Sequence, residues 1–353
     1  MVRPSVSAMR IAVDAMGGDN APAALVEGAL RAARELDKVT RIILVGRESV
    51  LKTELAKHGP IPEKIVIHHC TEVVEMGESP ATAVRRKKDS SINVAVDLVK
   101  QGQAEGLFSA GSTGAQVAAS TLKLRTLAGV QRPAIAAVFP SPTKPFVVID
   151  AGANTDSTPT MLVEFAVMGM VYAREILGVA NPRIGLMSVG EEDAKGNALT
   201  KETFTLLSAS GLNFAGNIEG HDLFEGEIDV VVCDGFVGNV ILKTCESLAH
   251  AIGMWLKQEF KANPFRMAAA LCLKGAFADM KRKVDPAAYG GAPLLGVNGV
   301  SIIGHGSSNA LAVFNGIRVA SEAVSQNINH GIGDVLARVN DRRPAPPGAE
   351  PAG

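Results

Sequence analysis

The chain has 353 residues, 47% of them hydrophobic, and a formal net charge of −1, which is enough apolar side chain for one large core or two small ones. Near-neutral charge with only 4% aromatic residues supplies neither the basic face nor the stacking rings of a nucleic-acid binder, so no nucleic-acid partner is expected. Four scattered cysteines (Cys70, Cys233, Cys245, Cys272) form no CxxC pair, so neither a zinc site nor a disulfide framework is suggested, and a reducing cytosol fits best. No N-terminal stretch has a signal-peptide core, and the apolar run MAAALCL at 267–273 is far short of the roughly 20 residues that span a bilayer.

In chain order, Met1–Ala8 precedes a second methionine and reads as a disordered extension or an alternative start. From there short β-branched runs alternate with longer segments of helical period, the pattern of a parallel sheet wrapped by helices. The fold class is therefore α/β. Strands are predicted at 10–14, 41–46, 64–69, 105–109, 133–139, 146–150, 183–188, 229–233 and 300–303, and helices at 21–36, 48–58, 91–101, 112–127, 158–177, 200–210 and 237–260. One domain is expected over 9–338, with 262–296 a protruding amphipathic helical segment and 339–353, rich in Pro, Gly and Ala, a disordered tail.

Six predicted strands end in turns of small and polar residues: IAVDAMGGDNAP (11–22), LFSAGSTGA (107–115), VVIDAGANTD (147–156), GLMSVGEED (185–193), VVVCDGFVGN (230–239) and SIIGHGSSN (301–309). In a parallel sheet the carboxyl ends share one edge, where ligands bind, so these turns should converge. Glycine lets backbone N–H groups approach a ligand, and a helix that starts after the turn offers its positive end to an anion. A phosphate-sized anion is the expected guest. No turn matches GxGxxG or GxxxxGK[ST], so no nucleotide cofactor is expected. Any one such turn is more often structural; it is six together that point to a site.

The segments IAVDAMGGDNAP, AVRRKKDSSI (83–92), SAGSTGA, DAGAN (150–154), KGNALTK (195–201), DGFVGN, YGGAPLLGVNG (289–299) and HGSSN resemble, in order, the motifs of the bacterial acyl-ACP:phosphate acyltransferase family, from Met9 to about Gln326. The resemblance implies a Rossmann-like core of the isopropylmalate-dehydrogenase-like and phosphotransacetylase-like kind, with helices on both faces of a parallel sheet. It implies conversion of inorganic phosphate and an acyl thioester of acyl carrier protein into acyl phosphate, feeding phospholipid synthesis, by a homodimer without cofactor or metal. It also points to Lys195 and Asn239 as the pair that polarises the thioester carbonyl and orients phosphate.

The chemistry follows from residue types as well. Phosphate is a competent oxygen nucleophile toward a thioester, so the protein must mainly place it and stabilise the developing oxyanion, and no catalytic cysteine is required. Candidate phosphate and substrate contacts are Asp14, Gly17 and Gly18; Ser109, Gly111, Ser112, Thr113 and Gly114; Asn154; Asp234, Gly235 and Gly238; and Gly306, Ser307, Ser308 and Asn309. The basic run 85–88, Arg85 and Lys88 above all, would supply charge. Lys195 can also be read as a surface lysine and Asn239 as a helix cap. His305 is a candidate donor to the leaving thiol or a backbone hydrogen-bonder. Asp14, Asp150 and Asp234 should brace turns, because a carboxylate beside phosphate repels it. A dehydrogenase with a metal on Asp150, Asp229 and Asp234, a transacylase acting on coenzyme A thioesters, and a non-catalytic scaffold for acyl carrier protein are the rival readings.

The segment NPFRMAAALCLKGAFADMKRKVDP (263–286) reads as one helix opened by Pro264. Phe265, Leu271 and Phe277 fall near one face, and Lys274 and Lys281 lie among the cations at its margin and end. Such a helix suits peripheral contact with the anionic inner face of the cell membrane, or packing in a core or dimer.

Overall fold

A computed structural model describes residues 9–342. Alternate residues of its strands feed different cores, as a sheet covered on both sides requires. In β1 (Met9–Asp14), Ile11 and Val13 join α1 (Ala23–Glu35) and α11 (Ala310–Ser325), whereas Ala12 joins α4 (Ser91–Lys100) and α5 (Thr113–Lys123) on the other face. In β6 (Phe146–Ile149), Val147 and Ile149 pack with α6 (Pro159–Glu175) and α12 (Ile328–Arg342), and Val148 faces the opposite cluster. The expected helices on both faces are present.

The remaining strands are β2 (Val39–Gly46), β3 (Ile65–His69), β4 (Gly106–Ser109), β5 (Ala134–Phe139), β7 (Ile184–Met187), β8 (Phe214–Ile218), β9 (Val230–Val232), β10 (Ala292–Leu295) and β11 (Val300–Ile303). They form one 11-stranded sheet in the order β3-β2-β1-β4-β11-β10-β5-β6-β9-β7-β8. Pairing is parallel from β3 to β11 and again from β6 to β8, but β10 runs antiparallel to β11 and β5, and β5 antiparallel to β6. The sheet thus has two parallel halves of opposite direction, which corrects the expectation of one parallel sheet with a single carboxyl edge. Residues 140–145 between β5 and β6 are too few for a crossover, so these strands must be antiparallel.

Each predicted strand is present, and β8 and β10 are additional. The segment read as one amphipathic helix is two, α9 (Pro264–Cys272) and α10 (Lys274–Val284), broken at Leu273. They follow α8 (Gly235–Lys261), of whose residues only Gly235 and Gly238 are buried. Residues 339–342 are not tail: they complete α12, and Val339 is buried in the core. The expectations for residues 1–8 and 343–353 fall outside the described residues. No described helix is long and apolar enough to cross a membrane.

Candidate functional site

A cavity of about 930 Å³ opens where the two halves meet, and both contribute strand ends to it. The first half brings Gly111, Thr113 and Gly114 after β4 and Gly304, His305 and Gly306 after β11; the second brings Ala151–Ala153 after β6 and Gly235, Phe236 and Asn239 after β9. Four of the six predicted turns therefore converge on one cavity despite the reversal. Its floor is β5, through Ile135, Ala137 and Val138, and its apolar wall continues through Val117, Ala118 and Leu122 on α5 and Leu242 on α8.

The opening turn after β1 does not line the cavity; it braces two turns that do. Asp14 is buried and accepts from Ser109 Oγ at 2.7 Å, and Ser109 in turn accepts from the Gly111 N–H at 3.1 Å. A Cβ on Gly17 would lie 2.8 Å from the Gly111 nitrogen, and one on Gly18, whose φ is +98°, would lie 2.9 Å from the Ala110 oxygen. Only glycine fits so close an approach. The Asp19 N–H donates to the Gly306 carbonyl at 2.8 Å, and Asn20 Nδ2 to the Ser307 and Ser308 carbonyls at 3.1 and 3.2 Å. Burial raises the Asp14 pKa, opposed by hydrogen bonds from Ser91 and Ser109. Asp14, Gly17, Gly18 and Ser109 are thus support, with the Asp14 carboxylate and the Ser109 hydroxyl engaged inside it.

Two helices of full length begin at the cavity. Ser112 caps α5 by accepting from the Ala115 N–H, and Asp234 caps α8 by accepting from the Val237 N–H at 2.9 Å. The N–H groups of Thr113 and Gly114 then have no intrahelical acceptor and are available to an anion. Gly235 is held differently: its N–H donates to the Asn154 carbonyl at 2.8 Å, so the α8 donor left open is Phe236. Asp150 organises that corner. It is fully buried, with its pKa raised by that burial, and it accepts from the N–H groups of Ile135, Gly152, Ala153 and Asn154 and from Asn154 Nδ2. A Cβ on Gly238 would lie 1.9 Å from the Asp150 carbonyl oxygen, so α8 seats directly on this turn. Asn154, Asp234, Gly235 and Gly238 build the corner, while Asn239 projects from it into the cavity with its amide unpaired among the described residues.

His305 lines the cavity, and its Nδ1 accepts from the Ser307 N–H at 3.2 Å and lies 2.7 Å from Ser307 Oγ. That assigns the ring proton to Nε2 in the neutral imidazole, which leaves a donor free. Ser308 Oγ donates to the His305 carbonyl, and Asn309 caps α11. Ser307, Ser308 and Asn309 therefore shape the turn, and Gly306 is the member that lines the cavity.

The basic run divides. Arg85, on α3 (Pro80–Arg86), lines the cavity; Lys87 is paired with Glu78 and the Val73 carbonyl; Lys88 is exposed and away from the lining. The sequence reading missed Arg132, which lines the same cavity just before β5. Neither guanidinium has a partner among the described residues. Lys243 also lines the cavity, paired with Glu246, the lone carboxylate of the lining. Lys195 is not brought to the cavity: it sits on the exposed loop after β7, half-exposed, with Nζ 4.0 Å from Glu192. Because β7 is the neighbour of β9, that loop begins one strand away from the α8 start.

The aspartates of the dehydrogenase reading do not gather. Asp229 precedes β9 at its far end, where it pairs with Lys144 at 2.6 Å and accepts from the Arg183 N–H, whereas Asp150 and Asp234 follow strand ends, Asp150 holding its own turn and Asp234 capping α8. The one metal-like grouping among the described residues, Glu191, His221 and Asp222, is at the surface.

Residues 9–330 match the family described as "Fatty acid synthesis protein". A phosphate acyltransferase from Desulfitobacterium hafniense (strain DSM 10664 / DCB-2) is 52% identical over 331 residues, covering 94% of this chain and 98% of its own. One of the same name from Geobacter sulfurreducens is 52% identical over 328 residues, covering 93% and 94%. Among solved structures, a phosphotransacetylase from Streptococcus pyogenes superposes with a TM-score of 0.58 at 18% identity, covering 90% of this chain and 94% of that one. A branched-chain phosphotransacylase from Enterococcus faecalis V583 gives 0.56 at 17%, covering 90% and 99%. At such identities the solved structures establish the fold: a Rossmann-like α/β core shared with phosphotransacylases. Matched over most of its length and half identical to these relatives, the chain belongs to the fatty acid synthesis protein family, the phosphate acyltransferase family that its motifs resemble.

Proposed function

We propose that this protein transfers an acyl group from the thioester of acyl carrier protein to inorganic phosphate, releasing acyl phosphate for phospholipid synthesis. The observation that carries the reading is the cavity itself, in which free N–H groups at two helix starts and unpaired guanidinium groups face a wall of apolar side chains. An anion and an acyl chain are the two guests such a lining suits. A phosphate oxygen attacks the thioester carbon, the C–O bond forms as the C–S bond breaks, and the thiolate leaves with a proton. Thr113 and Gly114 N–H groups and Arg85 hold phosphate. The Asn239 amide and the Phe236 N–H meet the developing oxyanion, as preorganised donors in a site of low polarity do. The proton that the leaving sulfur takes is the one hydrogen phosphate gives up as it becomes acyl phosphate, and His305 Nε2–H donates a hydrogen bond to that sulfur as charge builds on it. Purified protein should release thiol from acyl-[acyl-carrier-protein] only when phosphate is present; thiol release indifferent to phosphate defeats the reading.

The unit running from residue 9 to 342 works as a homodimer at the membrane surface, in the cytoplasm. Leu248, Ile252 and Trp255 repeat at intervals of four and three along α8 and are 53%, 44% and 59% exposed, a seam suited to a second copy. On the arm beyond it, Phe265 is 88% and Leu271 70% exposed, with Lys274 beside them. Phe277 is different: it packs edge-on against Phe260 at 5.0 Å and serves the arm's own structure. The Lys281 side chain lies outside the described residues. Wild type should sediment with anionic vesicles and be released by salt. Phe265→Glu with Leu271→Glu should leave the protein folded in the supernatant; equal pelleting by the double variant returns this face to protein packing.

A further inference from the structure

We infer that Arg132, just before β5 and between the two parallel halves of the sheet, binds the same phosphate as Arg85. The inference rests on the reading of the cavity as a phosphate acyltransferase site. Both guanidinium groups line the one cavity and both are unpartnered among the described residues. They belong to different structural units: Arg85 lies in the last turn of α3, whose first residue Pro80 packs against Gly114 at the start of α5, and Arg132 immediately precedes β5.

Charge and anchorage support this assignment. A phosphate dianion leaving water needs more compensation than one guanidinium and the partial charge of helix ends provide. Lys243 is already paired with Glu246, so Arg132 is the remaining free cation of the lining. An arginine fork also suits two phosphate oxygens at once. The Arg132 stem is fixed. Pro133 restricts the residue before it to extended backbone. The Pro133 carbonyl accepts from Asn154 Nδ2 at 2.8 Å, and the Ile135 N–H donates to Asp150 at 2.9 Å. The buried Asp150–Asn154 network thus sets both the α8 start, which carries Asn239, and the chain that carries Arg132. One hub places a phosphate cation and a carbonyl donor relative to each other.

The test uses the full chain, with Arg132→Gln and Arg132→Lys compared at varied phosphate and at varied acyl-[acyl-carrier-protein]. For Arg132→Gln the phosphate KM should rise about 10–100-fold, the usual loss for a charge-assisted pair, with the thioester KM nearly unchanged. Arg132→Lys should recover part of the loss, because the charge remains but the fork does not. Phosphate alone should raise the melting temperature of wild type more than that of Arg132→Gln, a readout that does not depend on turnover. An unchanged phosphate KM with an unchanged melting shift overturns the inference. A rise confined to the thioester KM, or a fall in kcat alone, also overturns it by assigning Arg132 to the donor or to the transition state. If wild type shows no phosphate-dependent turnover, the functional reading fails, and the melting comparison still decides whether Arg132 holds phosphate.

Discussion

Asp14 and Asp150 close β1 and β6, one in each half of the sheet, and burial raises the pKa of both. Their surroundings differ. Asp14 takes two hydroxyls, Ser109 Oγ and Ser91, and the N–H groups of Met16, at 3.3 Å, and Gly17, all but Ser91 from its own turn and the next, while those turns are held mainly by glycines pressed against the backbone of neighbouring turns. Asp150 takes four backbone N–H groups and a side-chain amide, and a single carboxylate there does what three interlocked turns do in the first half. The difference is between a corner distributed over many contacts and one that hangs on a hub. It coincides with a division of chemistry, since the first half offers N–H groups and Arg85 and the second offers Asn239.

The largest effect should come from removing the hub. Asp150→Ala strips partners from several buried N–H groups and should cost on the order of 3–5 kcal/mol, whereas Asp14→Ala should cost about 1–3 kcal/mol. Urea unfolding midpoints measure both, and a larger loss at Asp14 breaks the comparison. Next, Asn239→Ala should lower kcat by about 10²–10³ with little change in phosphate KM, and Arg85→Gln in the first half should do the reverse, raising phosphate KM about 10–100-fold with kcat nearly kept. Steady-state kinetics with both substrates varied decide it; parallel changes in the two variants would erase the division of labour. The smallest effect concerns thiols. Cys70 is pushed up to about 12 by burial and Cys233 well above its ordinary value, so at pH 8 both stay protonated, Cys70 with a thiolate fraction of about one in 10⁴. Alkylation at pH 8 should label exposed Cys272, spare Cys70 and Cys233, and leave turnover intact, as mass spectrometry and activity on one sample will show.

Strands buried on both faces are legible because they must be continuous apolar runs, and nine were placed to within a few residues. β8 was hidden because FAGNI is short, half polar and carries Gly216 at φ +108°. β10 was hidden by Pro293 among positive-φ glycines at 290, 291 and 296. The reversal of the sheet was readable in principle from the short Pro-containing link between β5 and β6, but strand-by-strand periodicity carries no direction. The glycine turns were legible as a group, yet the sequence does not distinguish a turn that faces the ligand from one that supports it, because the same residues serve both ends. Hence Asp14, Gly17 and Ser109 were placed too close to phosphate. Arg132 lay in no motif; nothing local marks it, and only the fold carries it to the cavity.

The position of β11 has a consequence for how the protein is made. That strand sits between β4 and β10, in the middle of the sheet, yet it is the last of the described strands in chain order, and the turn that follows it brings His305 and Gly306 to the site. A nascent chain that has left the ribosome as far as α10 has every other half of each contact in place: Asp19 waits for the Gly306 carbonyl, Asn20 for those of Ser307 and Ser308, and β4 for its neighbour. The cavity cannot be finished by the segments that supply most of its lining. Synthesis must run past Gly306 before there is a place for phosphate at all, so a chain interrupted on the arm is left without a working site, whatever it manages to fold.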